Sequence, residues 1–322
     1  MSEGTKIQWA DDTHNFWRGC TKVSDGCKQC YAEARDKRFH GGAHWGKDAP
    51  RVRAKDFEAP LRWNRRPWCC DECGMPHAVP GFICMTPGCE CETKHRRRVF
   101  SLSLGDFFDE EVADEWRIDA LDVIRRCPNL DFLILTKRPG KALRFLKGLA
   151  WTGDGDGCWT TRASDDFRAL RLLRNIWLGV SLENQQTADE RIPQVLQIPA
   201  AVRFLSMEPL LGAVRLRGNW LLGIEPKIHW VIVGGESGPG ARRCDVDWIR
   251  DVARQCKTAG VPCLVKQLGS RPMMPCQPDG TDGLAHLRHP KGGDPAEWPE
   301  DLRVREFPNV QRPTFNAQLA TK

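Results

Sequence analysis

No run of about 18 apolar residues occurs in the chain, which excludes a membrane-spanning helix of ordinary length. Its first residues, Met1-Ser2-Glu3-Gly4-Thr5-Lys6, lack the basic-then-apolar layout of a secretory signal. Together these absences predict a cytoplasmic protein with no membrane partner, in a reducing compartment where disulfides are rare. Tyrosine is scarce too: Tyr31 is the only one in 322 residues. Against this stand fifteen cysteines, which in such a compartment read as thiols or metal ligands. Their spacing is uneven. Cys20, Cys27 and Cys30 fall within eleven residues, with no fourth cysteine nearby. A closed structural zinc site needs four protein ligands, whereas a catalytic metal keeps one position open. An iron–sulfur cluster held by three thiolates does the same.

Hydrophobic residues at 41% and charged residues at 28% are those of a globular protein, and the length suits one large domain with an insertion. Near-continuous apolar runs at 99–104, 132–137, 176–181, 202–206, 230–235 and 263–266 read as buried parallel strands. Helical spacing covers 109–126 and 248–259, the second ending at Gly260. With a seventh strand near the N-terminal cysteines, this predicts an α/β fold. We expect a full or partial parallel β/α barrel, with an open doubly wound sheet as the alternative. Each run ends in polar residues: Ser103 and Asp106, Lys137, Ser181 with Glu183 and Asn184, Glu208, Glu236 with Ser237, and Lys266 with Gln267. In a parallel barrel these converge on one rim, where active sites sit.

Residues 67–98 break the alternation. Four of the six thiols Cys69, Cys70, Cys73, Cys84, Cys89 and Cys91 can close a tetrahedral zinc site; Cys70, Cys73, Cys84 and Cys89 are our choice. A segment so rich in Pro, Gly and Cys needs a metal to fold, and is expected to form a zinc-ribbon-like insertion. The chain therefore divides into an N-terminal part of the barrel (1–66), the insertion (67–98), the rest of the barrel (99–270) and a C-terminal extension (271–322). Basic residues flank the insertion: Arg51, Arg53, Lys55, Arg62, Arg65 and Arg66 before it, Lys94 to Arg98 after it. They read either as a nucleic-acid footprint or as a solvated surface.

The blocks Ile7-Gln8-Trp9, Thr13-His14-Asn15 and Gly19-Cys20 through Cys30-Tyr31-Ala32 resemble the start of a phage-associated three-cysteine family described as radical-SAM-like. Thr136-Lys137-Arg138-Pro139, Gly179 to Asn184, Ser206 to Leu210, Gly234 to Gly238 and Lys266 to Gly269 extend the resemblance over roughly 6–270, outside the insertion and the last fifty residues. The resemblance implies a [4Fe–4S] cluster on Cys20, Cys27 and Cys30, with S-adenosylmethionine (SAM) chelating the open iron. One electron, from an external donor, would cleave SAM to a radical that abstracts hydrogen from a polar substrate. It further implies a phage-infected or lysogenic host, and a nucleotide or DNA base as a candidate substrate. On this view Tyr31, Ser103, Asp106, Ser181, Glu183 and Asn184 are the cofactor-binding candidates, and Lys137, Glu208 and Glu236 the catalytic ones. The loop departs from the common pattern, because six residues rather than three separate its first two cysteines. Gly234-Gly235-Glu236 also falls on a late strand, so the SAM-amino role of such a motif is not carried to it.

Two other readings compete. One is a non-redox zinc protein that binds nucleic acid, in which His14 completes a Cys₃His site. The other is a hydrolase using Glu208 and Glu236 as an acid–base pair, which leaves the cysteine loop unexplained.

Overall fold

The computed structural model describes residues 4–70, 72–81, 86, 89, 94–152, 158–161, 173–223, 225–274 and 287–310. Its main sheet has seven strands: β1 (Asp12–His14), β2 (Arg98–Ser101), β3 (Asp131–Thr136), β4 (Ile176–Ser181), β5 (Val202–Met207), β6 (Trp230–Gly234) and β7 (Cys263–Gln267). All pairings are parallel, and neighbours in the sheet follow chain order from β1 to β7. A doubly wound sheet reverses its order at a switch point. This one never does, so that alternative fails. Among the described residues β1 and β7 do not pair, which makes the sheet a partial barrel.

The crossovers carry α1 (Tyr31–His40), α2 (Asp114–Arg125), α3 (Pro139–Gly148), α4 (Gln185–Leu196) and α5 (Val246–Ala259). No helix among the described residues is long and apolar enough to cross a membrane. Local chemistry sets their ends: Asn184 and Thr187 form a reciprocal cap on α4, and Gly260, at φ 65°, closes α5. α2 starts later than its apolar spacing suggests, because Asp109 lies in the preceding loop and is held there by two arginines.

The strands read as unbroken apolar runs because both sheet faces are buried. Phe132, Ile134, Leu178, Val180, Leu205, Val231, Val233 and Val265 join the core under the helices. The alternate residues Leu133, Trp177, Val202, Phe204, Trp230, Ile232 and Leu264 pack on the concave side with Trp9 and Phe100. Gly179 has a steric reason to be glycine, since a Cβ there would lie 2.3 Å from the Phe204 ring. The C-terminal extension completes this floor. Phe307 and Val310 pack on the concave core, while the amide of Val265 donates to the Val304 carbonyl and that of Glu306 to the Cys263 carbonyl. The open edge of β7 is thereby covered. One step further along the concave face the side chains turn polar, at Lys137, Ser181, Ser206, Glu208 and Lys266. The apolar floor is at the strand N-termini and the polar rim at their C-termini.

Candidate functional site

The three cysteines sit on a loop laid across that rim. Gly19 brings the loop in: its φ is 107°, a Cβ would lie 2.6 Å from the His44 carbonyl, and its amide donates to Leu104 O at 3.0 Å. Buried charges then pin the Cys20 end. Asp109 accepts from Arg51 Nη2 (2.8 Å) on one oxygen, and from Arg138 Nη2 (2.8 Å) and the Thr21 amide (2.8 Å) on the other. Arg138 also donates to Asp106 Oδ2 (2.9 Å) and Thr21 O (2.6 Å), and its Nη1 lies 3.8 Å from Cys20 Sγ. The middle of the loop is held by Glu183, whose Oε1 accepts from the Gly26 amide at 3.3 Å while Arg191 donates to Oε2 at 3.0 Å. At the far end Cys30 is the residue preceding α1.

All three thiols are partly buried and unpaired by disulfides. Burial, reinforced by Asp106, pushes the Cys20 thiol up to about 12, with Arg138 opposing. Burial raises the Cys30 thiol too, against the pull of the Glu33 and Ala32 amides at the start of α1. Thiols that resist losing a proton to water surrender it to a bound cation. The thiols are not gathered for a single ion, however. Sulfurs around one zinc at about 2.3 Å stand about 3.8 Å apart, and among the described residues these three form no ligand group within 4.8 Å. Nor does His14 join them. It is fully buried, with Nε2 on the Phe57 carbonyl at 3.1 Å, and burial pushes its pKa down to about 4. The Cys₃His arrangement therefore has no geometric support.

Facing the loop are the sequence-predicted rim residues, and they divide into two kinds. Lys137, Ser181, Glu208 and Tyr31 point chemistry into the mouth. Lys137 Nζ donates to Ser181 Oγ at 2.9 Å and has no carboxylate within 4.0 Å among the described residues. Lys266 Nζ holds Glu208 Oε2 at 3.1 Å, while Glu208 Oε1 is buried without a hydrogen-bond partner. Tyr31 is 62% exposed, yet its hydroxyl donates to Ser103 O at 2.5 Å, and Cys30 and Glu208 lie close enough to disfavour its ionisation after burial has done so. Such a residue lines the wall of an open concavity.

The second kind braces the first. Asp106 receives Phe108 N and Thr136 Oγ1 on one oxygen, and Lys137 N and Arg138 on the other, so its acceptor sites are engaged. Glu183 anchors the cysteine loop, and Asn184 caps α4. Ser103 exchanges hydrogen bonds with Asn15. Glu236 is buried, with both oxygens taken by Arg242 at 2.6 and 2.9 Å; burial opposes its ionisation, but those bonds hold its carboxyl below the usual range. Rather than standing free as a reacting group, it braces the 236–242 turn, where a Cβ on Gly240 would lie 3.3 Å from the Gln29 side chain. Sequence reasoning missed the role of Asp109, named Arg51 only as part of a basic run, and quoted Arg138 only within a motif. Nothing local distinguishes them from surface charges.

A separate candidate metal site lies in the insertion, whose strands Trp68–Cys70, Pro76–His77 and Lys94–Arg96 make an antiparallel sheet. Cys70, Cys73 and Cys89 place their sulfurs within 4.8 Å of one another, with Cys70 and Cys89 at 3.4 Å, a set compatible with a metal ion. Cys84 and Cys91 lie outside the described residues. Cys69 faces away toward Asp11 and His95, where Arg98 Nη2, 2.8 Å from His95 Nε2, already supplies the positive charge. Cys73→Ser is expected to strip the metal from the insertion and lower its protease resistance, leaving the N-terminal thiols untouched. Metal analysis alongside limited proteolysis checks this; unchanged metal content would exclude Cys73 as a ligand.

The family model of a protein of unknown function, DUF5131, matches residues 4–290. No curated protein and no solved structure matches the chain. Because the match runs from before β1 to beyond β7 and takes in both cysteine clusters, the chain belongs to the DUF5131 family of proteins of unknown function.

Proposed function

We propose that this chain is a radical SAM enzyme, with Cys20, Cys27 and Cys30 as the thiolate ligands of a [4Fe–4S] cluster. The observation that carries the reading is the loop itself: three unpaired thiols, too dispersed for one ion, pinned over the polar rim of a parallel half-barrel. When bound, the cluster would supply the electron for reductive cleavage of SAM, chemistry that belongs to the cofactors. The chain's own residues position and exclude. Lys137 offers an ammonium to a carboxylate, and the unpartnered Glu208 oxygen accepts from an ammonium or hydroxyl, so the pair fits a zwitterionic amino-acid group beside the thiols. Tyr31 presents an aromatic face for a purine. Asp106, Glu183, Asn184 and Glu236 keep the loop and strand ends in place. The substrate would be polar, with a nucleotide or DNA base the first class to test and an external electron donor required. In the insertion, zinc is the metal that a thiolate set suits, in a structural role.

The test is the EPR spectrum of anaerobically reconstituted, reduced protein with and without SAM. A [4Fe–4S]⁺ signal that shifts on adding SAM is expected; uptake of zinc alone, with no cluster signal and no response to SAM, would replace this reading by the non-redox one. Glu208→Gln is expected to weaken SAM binding about tenfold or more, the loss of one charge-assisted contact, read from a SAM titration of the same signal. An unchanged titration would remove Glu208 from the SAM site.

A further inference from the structure

Five of the arginines around the insertion are neutralised inside the protein. Arg51 pairs with Asp109, Arg53 with Asp119, Arg62 with Asp56, Arg97 with Asp12 and Arg98 with Asp11. Among the described residues, cations without a carboxylate partner also lie on α1, which starts directly after Cys30. Among the described residues neither Arg35 nor Arg38 has a carboxylate within 4.0 Å; their guanidinium carbons lie 5.2 and 5.3 Å from the centroid of Phe39, which is 57% exposed. The helix's own acids are engaged, Glu33 by Lys22 and Lys37, Asp36 by His44.

Tyr31, Arg35 and Phe39 are spaced by four residues and share one stripe of the helix. At 1.5 Å per residue the stripe is about 12 Å long, room for roughly three stacked bases at 3.4 Å each. Its inner end is Tyr31, beside Cys30 at the mouth, and its outer end is Phe39 under two guanidiniums. Aromatic faces alternating with arginine are what an unpaired strand uses: bases stack on the rings, and phosphates meet the cations. A duplex, whose bases are already stacked, cannot use the rings. Phe39 is also the one large apolar side chain exposed at the outer end of the stripe, too little for an apolar protein interface.

We infer that the Tyr31–Arg35–Phe39 face of α1 binds a single nucleic-acid strand and leads it to the cysteine-lined mouth. This rests on the nucleotide-substrate part of the proposed function and gives it a form: an unpaired DNA or RNA segment rather than a free nucleotide or a duplex.

The test is fluorescence anisotropy of the full-length chain with a labelled 12-mer of single-stranded DNA, the same RNA sequence, and the DNA duplex. The single strands are expected to bind more tightly than the duplex. Phe39→Ala should weaken single-strand binding about tenfold, and Arg35→Ala/Arg38→Ala should flatten the salt dependence by about 1.4 in log–log slope. Arg65→Ala/Arg66→Ala, beside the insertion, should leave affinity unchanged. Melting curves confirm that each variant folds. No single-strand binding by the wild type, equal binding of duplex with no effect of Phe39→Ala, or loss on changing Arg65 and Arg66 instead would overturn the inference. So would binding to phosphatidylserine vesicles, but not to the oligonucleotides, that is lost in the same α1 variants. EPR on the same preparation separates the two ideas. A SAM-responsive cluster without strand binding sinks only this inference; strand binding through α1 without any cluster sinks only the radical reading.

Discussion

Cys27→Ala abolishes the iron–sulfur absorbance of the anaerobically reconstituted protein and leaves the insertion's metal in place: this is the expected result with the largest effect. Three thiolates are the minimum that can hold a [4Fe–4S] cluster while leaving one iron open. Cys127, Cys244, Cys256 and Cys263 are buried in the helix-side core, and Cys69, Cys70, Cys73 and Cys89 belong to the insertion, so none of these eight is part of the loop. The loop itself should survive, because its attachments run through Thr21, Gly26 and Gly19 rather than through the sulfurs. Iron falling to background with the insertion's metal near one equivalent confirms two independent centres. A normal iron content in the variant would show that Cys27 is not a ligand.

Asp109→Ala is expected to be the most damaging substitution outside the thiols. Asp109 has no exposed side-chain surface, and it separates the guanidiniums of Arg51 and Arg138, which are 2% and 7% exposed. Removing the carboxylate leaves two buried cations facing each other and frees the Thr21 amide. Breaking a buried ion pair in this one-sided way typically costs about 3–5 kcal/mol, which for a chain of this size lowers the melting temperature by roughly 4–7 °C. The loss should be larger than for Arg53→Ala, whose partner Asp119 is half exposed. A thermal melt of both variants checks this. Equal and small shifts would mean that the network under Cys20 does not hold the loop.

The alternating core was legible because burial is written locally. Residues 176–180 carry no polar side chain since both faces of β4 are covered, and all six expected strands lie within a few residues of their observed positions. The C-terminal segment was not legible: Phe307 and Val310 look like any tail residues until the concave floor they cover exists. At the site, Lys137 and Glu208 were recognisable as strand-end charges, and the structure leaves both facing the mouth. Glu183 and Glu236 carried the same signal, yet Gly26 with Arg191 engages the first and Arg242 the second. A carboxylate in a sequence does not declare whether its partner will be another side chain.

By itself, then, the sequence determined a parallel α/β sheet, a three-thiol loop with an open-ligand logic, and a second cysteine cluster in an insertion. These follow from short-range patterns of apolar residues and cysteine spacing. Only the tertiary structure decided which charges stay available. Arg51 meets Asp109 across 58 residues and Gly26 meets Glu183 across 157, distances over which no local pattern operates. The pairing of a charge is fixed by what the fold brings beside it, and that is why Arg51, Arg53, Arg62, Arg97 and Arg98 are neutralised while, among the described residues, Arg35 and Arg38 on α1 have no carboxylate beside them.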